Sequence, residues 1–252
     1  MMKDVLEEIV AWKRIEVERF KSKVSERTIH MQVEEIIDNQ GPTQSMRKAL
    51  IESSTGIISE FKRRSPSKGW IKEDGKPDII PLNYQLHGAS AISILTDEKF
   101  FGGNDNFIIE ARKSGVNIPI LYKNFIIDEY QLFQARLCGA SAVLLIAADL
   151  KIPECKSLLD TAHQLGLEVL LEMHSENELD YAELEPDMYG INNRNLGTFI
   201  TDINNSFYLA SQLPDNVCKV SESGINDPAT VKKLKLYGFN GFLIGESFMK
   251  TN

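Results

Sequence analysis

Short apolar runs alternate with amphipathic segments from about residue 56 to the end of the chain. Most of the runs are apolar at successive positions, which is typical of strands buried on both faces of a parallel sheet. Apolar residues recur at helical spacing between the runs, for example in residues 129–138, 152–165 and 228–237. The predicted strands are residues 57–62, 91–96, 118–123, 142–147, 168–172, 188–192, 218–222 and 241–245.

Three junctions between a predicted helix and the following strand resemble one another and read LHGASAISIL, LCGASAVLLI and LYGFNGFLIG. Each has a glycine at the end of the helix, where a residue in the left-handed conformation commonly terminates a helix. Repeated strand-and-helix units of this kind predict an α/β protein that is a closed (β/α)8 TIM barrel. The alternative is a doubly wound open sheet, which is disfavoured because no GxGxxG motif opens a predicted helix.

Residues 1–50 show helical periodicity with no strand between the helical segments, and residues 46–51 add a helical turn before the first strand. We therefore expect one barrel domain over residues 1–252, with residues 1–50 as an N-terminal helical extension. The residues close to the apolar stripe of the first helix are Leu6, Ile9, Val10, Lys13, Val17 and Phe20.

Composition narrows the class of protein. The 252 residues are 42% hydrophobic, enough for one sizeable core, and the formal charge of −8 disfavours a general nucleic-acid surface. Three cysteines without a CxxC pair argue against a metal site or a disulfide framework and fit a reducing compartment. No apolar run approaches the roughly 18 residues of a membrane span. We expect a soluble cytoplasmic protein with no nucleic-acid or membrane partner.

The segment GIISEFKRRSPSKG, residues 56–69, joins a short apolar strand to a polar loop. Glu60 and Lys62 are two residues apart, so they lie on the same side of an extended strand. Residues 65–69 are predicted to be a loop, because proline and glycine interrupt strands and serine hydroxyls stabilise turns. The segment predicts a functional site at the carboxyl end of a strand, with a surface ion pair as the alternative.

Other predicted strands also end in polar residues. The third ends in Lys123, the fifth in Glu172, and the sixth in Asn192 followed closely by Arg194. These ends surround the active site in a TIM barrel, and charges that converge there must be paired or used. They predict acid–base catalysis by lysines and carboxylates without a metal. The seventh strand adds Ser221, Glu222 and Ser223.

Glycines follow the last two predicted strands, in Ser223-Gly224 and Gly245-Glu246. Glycine lets backbone N–H groups approach an anion closely, and the loops after strands seven and eight of a TIM barrel commonly bind phosphate. The two pairs therefore predict a phosphate site, although ordinary turns between a strand and a helix also contain glycine.

The four histidines show no metal-ligand spacing. His87 and His163 fall in predicted helices. His174 follows Glu172 by two residues and lies near the predicted site, where a bystander role is favoured over a catalytic one.

Taken together, these segments resemble the indole-3-glycerol-phosphate synthase family of tryptophan biosynthesis. The resemblance runs from about Leu6 to Met249 and includes the N-terminal helical extension. The SPS loop after E-x-K and the SESGI and IGES segments are its most specific parts. The matching segments, in the family's order, are ISEFKRRSPSKG, SILTDEKFFGG, PILYKNFIID, GASAVLLI, LEVLLEMH, GINNRNLGTF, VSESGI and LIGESFM.

The resemblance implies a carboxy-lyase that uses no cofactor. Its substrate would be 1-(2-carboxyphenylamino)-1-deoxyribulose 5-phosphate, whose ring closes with loss of carbon dioxide and water. Lys123 matches the general acid that protonates the substrate carbonyl, and Glu172 matches a carboxylate that stabilises positive charge. Glu60 and Lys62 match the pair for dehydration and for handling the substrate carboxylate.

Further positions match residues of the family that hold the substrate. Asn192 and Glu222, which we place in the catalytic set, and Arg194 match polar residues that orient it. Phe101, Phe125 and Leu144 match the apolar wall around the aromatic ring. The phosphate cradle is matched by Ser65, Gly224, Gly245 and the backbone of Glu246, and Ser223 is a further substrate-binding candidate.

Desolvation or a neighbouring cation is expected to lower the pKa of the catalytic lysine toward the working pH. Asn124 and Asn195 depart from the family, in which aspartate is frequent, and this affects supporting detail rather than the reaction. The alternatives are another phosphate-binding barrel enzyme, such as phosphoribosylanthranilate isomerase, and a non-catalytic barrel subunit of a pathway assembly. The expected partner is a phosphorylated small molecule. We expect a monomer or weak oligomer, with docking to other tryptophan-pathway enzymes left open.

Overall fold

A computed structural model of the chain describes residues 5–195 and 197–250. Eight parallel strands form a closed barrel in which each strand pairs with the next and the first also pairs with the last. The predicted TIM barrel is thus confirmed, and the open-sheet alternative is wrong. The barrel strands are Ile57–Phe61, Ala91–Leu95, Ile120–Lys123, Ala142–Ile146, Glu168–Met173, Met188–Asn192, Lys219–Glu222 and Phe239–Ile244.

Each predicted strand coincides with an observed one, and only the ends differ. The last strand begins at Phe239 instead of Gly241, because Phe239 already pairs with Lys219 before the register shifts at Gly241. The strand ends therefore depend on pairing between neighbours, which the apolar pattern does not contain.

Three helices precede the barrel, and the other helices follow its strands. The extension consists of α1 (Val5–Lys23), α2 (Glu26–Gln40) and α3 (Met46–Glu52). The other helices are α4 (Ile80–Leu86), α5 (Glu98–Phe101), α6 (Asn106–Lys113), α7 (Tyr130–Cys138), α8 (Ile152–Gln164), α9 (Asn204–Ala210), α10 (Pro228–Leu236) and α11 (Glu246–Lys250), with 3₁₀ segments at Ala147–Asp149 and Glu176–Leu184.

The three junction glycines end helices as predicted. Gly88, Gly139 and Gly238 have φ angles of +86°, +92° and +83°, a conformation in which a Cβ atom is sterically costly. Within residues 5–195 and 197–250, none of the helices is both long and apolar enough to cross a membrane.

The N-terminal extension packs against the barrel's outer layer. Val17 and Val33 are buried in the same apolar cluster as Val143 of the fourth barrel strand. His30 of α2 stacks on Phe133 of α7, with 3.8 Å between ring centres. The predicted helical extension is confirmed, and it contributes to the core around the barrel.

Lys13 lies on the apolar stripe of α1 and is buried, with 1% of its side chain exposed. Its Nζ atom is 2.8 Å from Asp97 Oδ2 and 2.5 Å from Glu16 Oε2. A buried ammonium requires such partners. Because Asp97 follows the second barrel strand, this ion pair joins the extension to the carboxyl end of the barrel.

The loop predicted at residues 65–69 is a short antiparallel hairpin, in which Arg64–Ser65 pairs with Gly69–Trp70. The Trp70 ring packs over Gly102, where an added Cβ atom would lie 2.7 Å from the indole. The guanidinium of Arg64 lies 5.6 Å from the centre of the same ring. The loop's own residues do not predict the hairpin, because it is supported by contacts with the segment after the second strand.

Candidate active site

A cavity of about 430 Å³ is bordered by residues from the carboxyl ends of all eight barrel strands and the loops after them. Every residue matched to the family's site borders it, whereas Ser221 is buried away from it and hydrogen-bonds with Asn193 and Ser206. The barrel accounts for this convergence, because parallel strands present their carboxyl ends at one rim. The predicted site residues that border the cavity are Glu60, Lys62, Ser65, Phe101, Lys123, Phe125, Leu144, Glu172, Asn192, Arg194, Glu222, Ser223, Gly224, Gly245 and Glu246.

Lys123 forms two buried ion pairs. Its Nζ atom is 3.0 Å from Glu172 Oε2 and 2.6 Å from Glu222 Oε2. The three side chains are 13%, 4% and 1% exposed, so little water screens these charges. The partners come from the third, fifth and seventh strands, which point into the same rim of the barrel.

The pKa of Lys123 is higher than that of an ordinary lysine. Burial lowers it, but the charges of Glu172, Glu222 and Glu60 outweigh burial and raise it. The expectation of a lowered lysine pKa is therefore wrong for the protein alone. Lys123 is a protonated donor, and loss of its proton must be balanced by a change in the charge around it.

The two carboxylates beside Lys123 differ in their affinity for protons. Burial raises the pKa of Glu172, yet Lys123 and His174 hold it well below its usual range. Burial and the charge of Glu172 raise the pKa of Glu222 to about 8, against the effect of Lys123. Among the described residues, the buried Oε1 atom of Glu222 has no hydrogen-bond partner. The site thus holds one firmly ionised carboxylate and one that exchanges a proton near neutral pH.

Glu60 and Lys62 lie on the same side of the first strand, as their spacing predicts. Glu60 Oε1 is 2.5 Å from Lys62 Nζ, and the side chains are 4% and 18% exposed, so the alternative of a surface ion pair is wrong. A Cβ atom added to Gly245 would lie 2.5 Å from Glu60 Oε1. The absence of a side chain at Gly245 therefore makes room for this carboxylate.

The turn after the seventh strand contains two successive left-handed residues. Ser223 and Gly224 have φ angles of +67° and +76°. A positive φ is uncommon for serine, and such strain is concentrated at functional sites. A Cβ atom at Gly224 would lie 2.7 Å from Thr201 Cγ2. Backbone N–H groups in turns of this kind form concave anion sites.

Cationic side chains stand beside these glycine turns. Arg194 Nη1 donates a hydrogen bond to Ser67 Oγ at 3.4 Å, while its buried Nε has no partner among the described residues. Lys68 Nζ lies 3.8 Å from Glu246 Oε1. A hydrogen bond from Lys250 lowers the pKa of Glu246, so this carboxylate is ionised and paired. Lys68 belongs to the SPSKG segment but was not among the predicted site residues.

The apolar wall is held by a contact that reaches the N-terminal extension. The rings of Phe101 and Phe125 are 5.9 Å apart between centres, and Leu144 is buried beside the cavity. Asp97 Oδ1 accepts the backbone N–H of Phe101 at 3.2 Å, and Asp97 Oδ2 binds Lys13. The buried lysine of α1 is therefore coupled to an aromatic side chain of the site.

The first helix also borders the cavity itself, through Val5, Leu6 and Ile9. From the sequence, Leu6 and Ile9 were predicted only to lie close to the apolar stripe of the first helix, with no part in the site. Their position at the cavity depends on how α1 crosses the barrel mouth, which helical periodicity does not specify.

His174, for which a bystander role was favoured, is a direct neighbour of a predicted catalytic residue. Its Nε2 atom is 3.1 Å from Glu172 Oε1, and its Nδ1 atom is 3.6 Å from Glu178 Oε2. Burial lowers its pKa, but these two carboxylates raise it to about 10, so the imidazole is protonated. Glu172 and His174 have the same two-residue separation as Glu60 and Lys62. That two-residue spacing could have indicated from the sequence that His174 lies beside Glu172.

Asn124 and Asn195 depart from the family pattern; Asn124 joins the loops after the second and third strands, and Asn195 is bound within its own loop. Asn124 Nδ2 donates to Thr96 Oγ1 at 2.8 Å, and its Oδ1 accepts the N–H of Phe125 at 2.9 Å. Asn195 Oδ1 accepts the N–H of Thr198 at 2.9 Å. Both side chains support segments that carry site residues.

The chain is similar to named proteins over nearly its whole length. A sequence model of the family described as "Indole-3-glycerol phosphate synthase" matches residues 6–252. A protein of that name from Bacteroides thetaiotaomicron is 58% identical over 250 residues, 99% of this chain and 94% of its own. Another, from Prochlorococcus marinus, is 42% identical over 260 residues, 98% of this chain and 85% of its own. An N-acetylmannosamine-6-phosphate 2-epimerase structure from Clostridium perfringens has a TM-score of 0.61 at 15% identity, over 81% of this chain and 91% of its own, which shows the fold alone.

Proposed function

The chain belongs to the indole-3-glycerol phosphate synthase family, and we propose how the residues at its barrel mouth divide the work of that enzyme. The substrate is 1-(2-carboxyphenylamino)-1-deoxyribulose 5-phosphate, and the reaction is that of a carboxy-lyase, which releases carbon dioxide and water. The observation that carries this proposal is the protonated Lys123 between two buried carboxylates. It supplies a proton donor in a site where little water competes.

Lys123 is the acid for ring closure. The aryl carbon that bears the carboxylate attacks the ketone carbon, the electron pair of the carbonyl moves to oxygen, and that oxygen takes a proton from Lys123. The carboxylate then leaves as carbon dioxide, and the electrons of its bond to the ring restore aromaticity. An ammonium is suited to this step because its donation strengthens as negative charge develops on oxygen.

Glu172 and Glu222 balance charge around this proton transfer. Glu172 remains ionised and stabilises the positive charge that develops as the nitrogen lone pair assists the reaction. Glu222, whose pKa is about 8, can hold a proton while Lys123 is neutral. Its buried Oε1 atom, which has no hydrogen-bond partner among the described residues, can hold this proton, and Asn192 helps to orient the substrate.

Glu60 and Lys62 serve the dehydration step. The hydroxyl formed in ring closure leaves as water with a proton from an acid, and a proton leaves the neighbouring carbon to a base. Glu60 and Lys62 supply an acceptor and a donor within one buried pair. Lys62 also meets the substrate carboxylate before it is lost, since a partly exposed ammonium can turn toward an entering anion.

The remaining residues bind the two ends of the substrate. Phe101, Phe125 and Leu144 enclose the aromatic ring and bring its carbon to the carbonyl. The phosphate is held at the opposite end, where backbone groups can approach it and Arg194 and Lys68 provide positive charge. The residues of this cradle are Ser65, Ser223, Gly224, Gly245 and the backbone of Glu246.

The experiment is to supply the aminodeoxyribulose phosphate to purified protein and follow indole fluorescence together with carbon dioxide release. We expect equal amounts of the two products. The same compound without its phosphate should react with a much higher KM, because the cradle would be unused. Failure of the purified protein to turn over, beside an active enzyme of the same family under the same conditions, would overturn the proposal.

A further inference from the structure

We propose that His174 is a positioning residue for Glu172. Its imidazole holds the carboxylate oxygen that does not contact Lys123, and so keeps Glu172 ionised and oriented after Lys123 has given its proton to the substrate. This inference rests on the proposed role of Lys123 as the proton donor.

The two oxygens of Glu172 face different cations. Oε2 is 3.0 Å from Lys123 Nζ, and Oε1 is 3.1 Å from His174 Nε2. At 3.1 Å this contact is an ion pair, and among the described residues the Nε2 atom has no hydrogen-bond partner. The side chains of Glu172 and His174 are only 4% and 8% exposed, which keeps the pair largely unscreened.

Other contacts hold His174 in place. Its backbone N–H donates a hydrogen bond to Glu178 Oε2 at 2.6 Å, and its backbone carbonyl accepts a hydrogen bond from Asn205 Nδ2 at 3.1 Å. Asn205 Nδ2 also donates to the carbonyl of Asn192 at 3.1 Å. The imidazole thus faces Glu172 on one side and Glu178 on the other, and its backbone is tied to the sixth strand. A ring held in this way can fix the carboxylate that it contacts.

The need for His174 arises when Lys123 becomes neutral. At that moment Glu172 and Glu222 both lose their shared cation. Glu222 can accept a proton near neutral pH, but a proton on Glu172 would remove the negative charge that faces the developing positive charge. A second cation on Oε1, which takes no part in the transfer, keeps Glu172 in its charged form throughout the cycle.

The experiment compares His174→Gln with the unaltered protein. We expect kcat to fall by about 10- to 100-fold, with a much smaller change in KM, because the His174 imidazole acts through Glu172 and does not contact the substrate. The acidic limb of the plot of kcat against pH should move upward by about one pH unit, since loss of a nearby positive charge raises a carboxyl pKa. Glu178→Gln, which leaves the protonated imidazole in place and removes a negative charge, should not move the limb upward.

The matched control is His163→Gln. His163 also pairs with a carboxylate, at 2.8 Å from Nε2 to Asp187 Oδ2, but Asp187 lies just before the sixth strand, at the other end of the barrel. Its replacement should leave kcat and the pH profile unchanged. An acidic limb and a kcat that stay the same in His174→Gln would overturn the inference.

A second measurement does not depend on turnover. The pKa of the Glu172 carboxyl, followed by carbon NMR of the protein without substrate, should rise in His174→Gln and stay unchanged in His163→Gln. A rise in a protein that shows no turnover would support the effect on Glu172 while the proposed function failed. An unchanged Glu172 pKa in an active protein would overturn the inference alone. If His174→Gln did not fold, His174→Asn, which also carries no charge, would provide the same comparison.

Discussion

Replacing Lys123 by methionine removes the cation between Glu172 and Glu222 and keeps a side chain of similar length. At separations of 3.0 and 2.6 Å, and with an effective dielectric constant of about 20, each attraction lost is on the order of 5 kcal/mol. Part of this is recovered, because Glu222 can take up a proton and leave a single buried charge. We expect the free energy of unfolding to fall by about 3 kcal/mol, the low end for a broken buried ion pair.

The same substitution should lower kcat by at least about 100-fold, which corresponds to about 2.7 kcal/mol of transition-state stabilisation. KM should change far less, because the donor matters most when negative charge develops on the carbonyl oxygen. Rapid-quench analysis should find unreacted substrate in Lys123→Met. In Lys62→Met, by contrast, a ring-closed intermediate should accumulate, because ring closure would proceed and dehydration would not.

A double variant separates folding from catalysis. Adding Glu222→Gln to Lys123→Met removes the surplus buried carboxylate, so stability in denaturant unfolding should recover while turnover stays low. Recovery of turnover in the double variant would mean that the single substitution acted through the fold. Accumulation of a ring-closed species in Lys123→Met would show that the roles of Lys123 and Lys62 are reversed.

Three further substitutions test other parts of the molecule. Gly245→Asp should raise KM by orders of magnitude, because it places a negative charge where the phosphate is proposed to bind. It should also lower kcat, because its Cβ atom would displace Glu60. Steady-state kinetics would measure both effects. Lys13→Met should cost about 3–5 kcal/mol of unfolding free energy by leaving two buried carboxylates without their cation. It should keep one cooperative transition if, as we propose, extension and barrel are one domain; two transitions would contradict this. In the unaltered protein, Glu222 should lower the free energy of unfolding as pH rises from about 4.5 to about 8, because its pKa is higher in the folded state than in the unfolded state. Glu222→Gln should remove this contribution, which denaturant unfolding at several pH values would measure.

Much of the fold was predictable from the sequence because the barrel strands are buried on both faces. Their continuous apolar runs identify them without knowledge of their partners. The residues at their carboxyl ends were predictable for a related reason, since a closed parallel barrel brings all those ends to one rim. The polar residues that interrupt the pattern at Lys123, Glu172 and Glu222 therefore indicated the site before any distance was known.

Properties that depend on contacts across the barrel were not predictable. The pKa of Lys123 is raised by carboxylates 49 and 99 residues away in the sequence. The expectation of a lowered pKa assumed burial or a neighbouring cation, and the sequence does not show that two carboxylates surround this lysine. The hairpin at Arg64–Ser65 and Gly69–Trp70 depends on packing of an indole over a distant glycine. His174 was undervalued because the two-residue spacing applied to the first strand was not applied to the fifth.

The charges at the barrel mouth fall into two groups that differ in how well they are paired. In the first group, the cations Lys123 and His174 are paired with buried carboxylates, so this region needs no substrate anion to balance it. Near the glycine turns, the buried Nε of Arg194 has no partner among the described residues, and the Lys68 ammonium is 3.8 Å from Glu246 Oε1, longer than the contacts of Lys123. An entering phosphate therefore gains most at the second group. We therefore expect changes of Arg194 and Lys68 to act mainly on KM and changes around Lys123 to act on kcat, whereas Gly245→Asp should act on both because Gly245 also contacts Glu60.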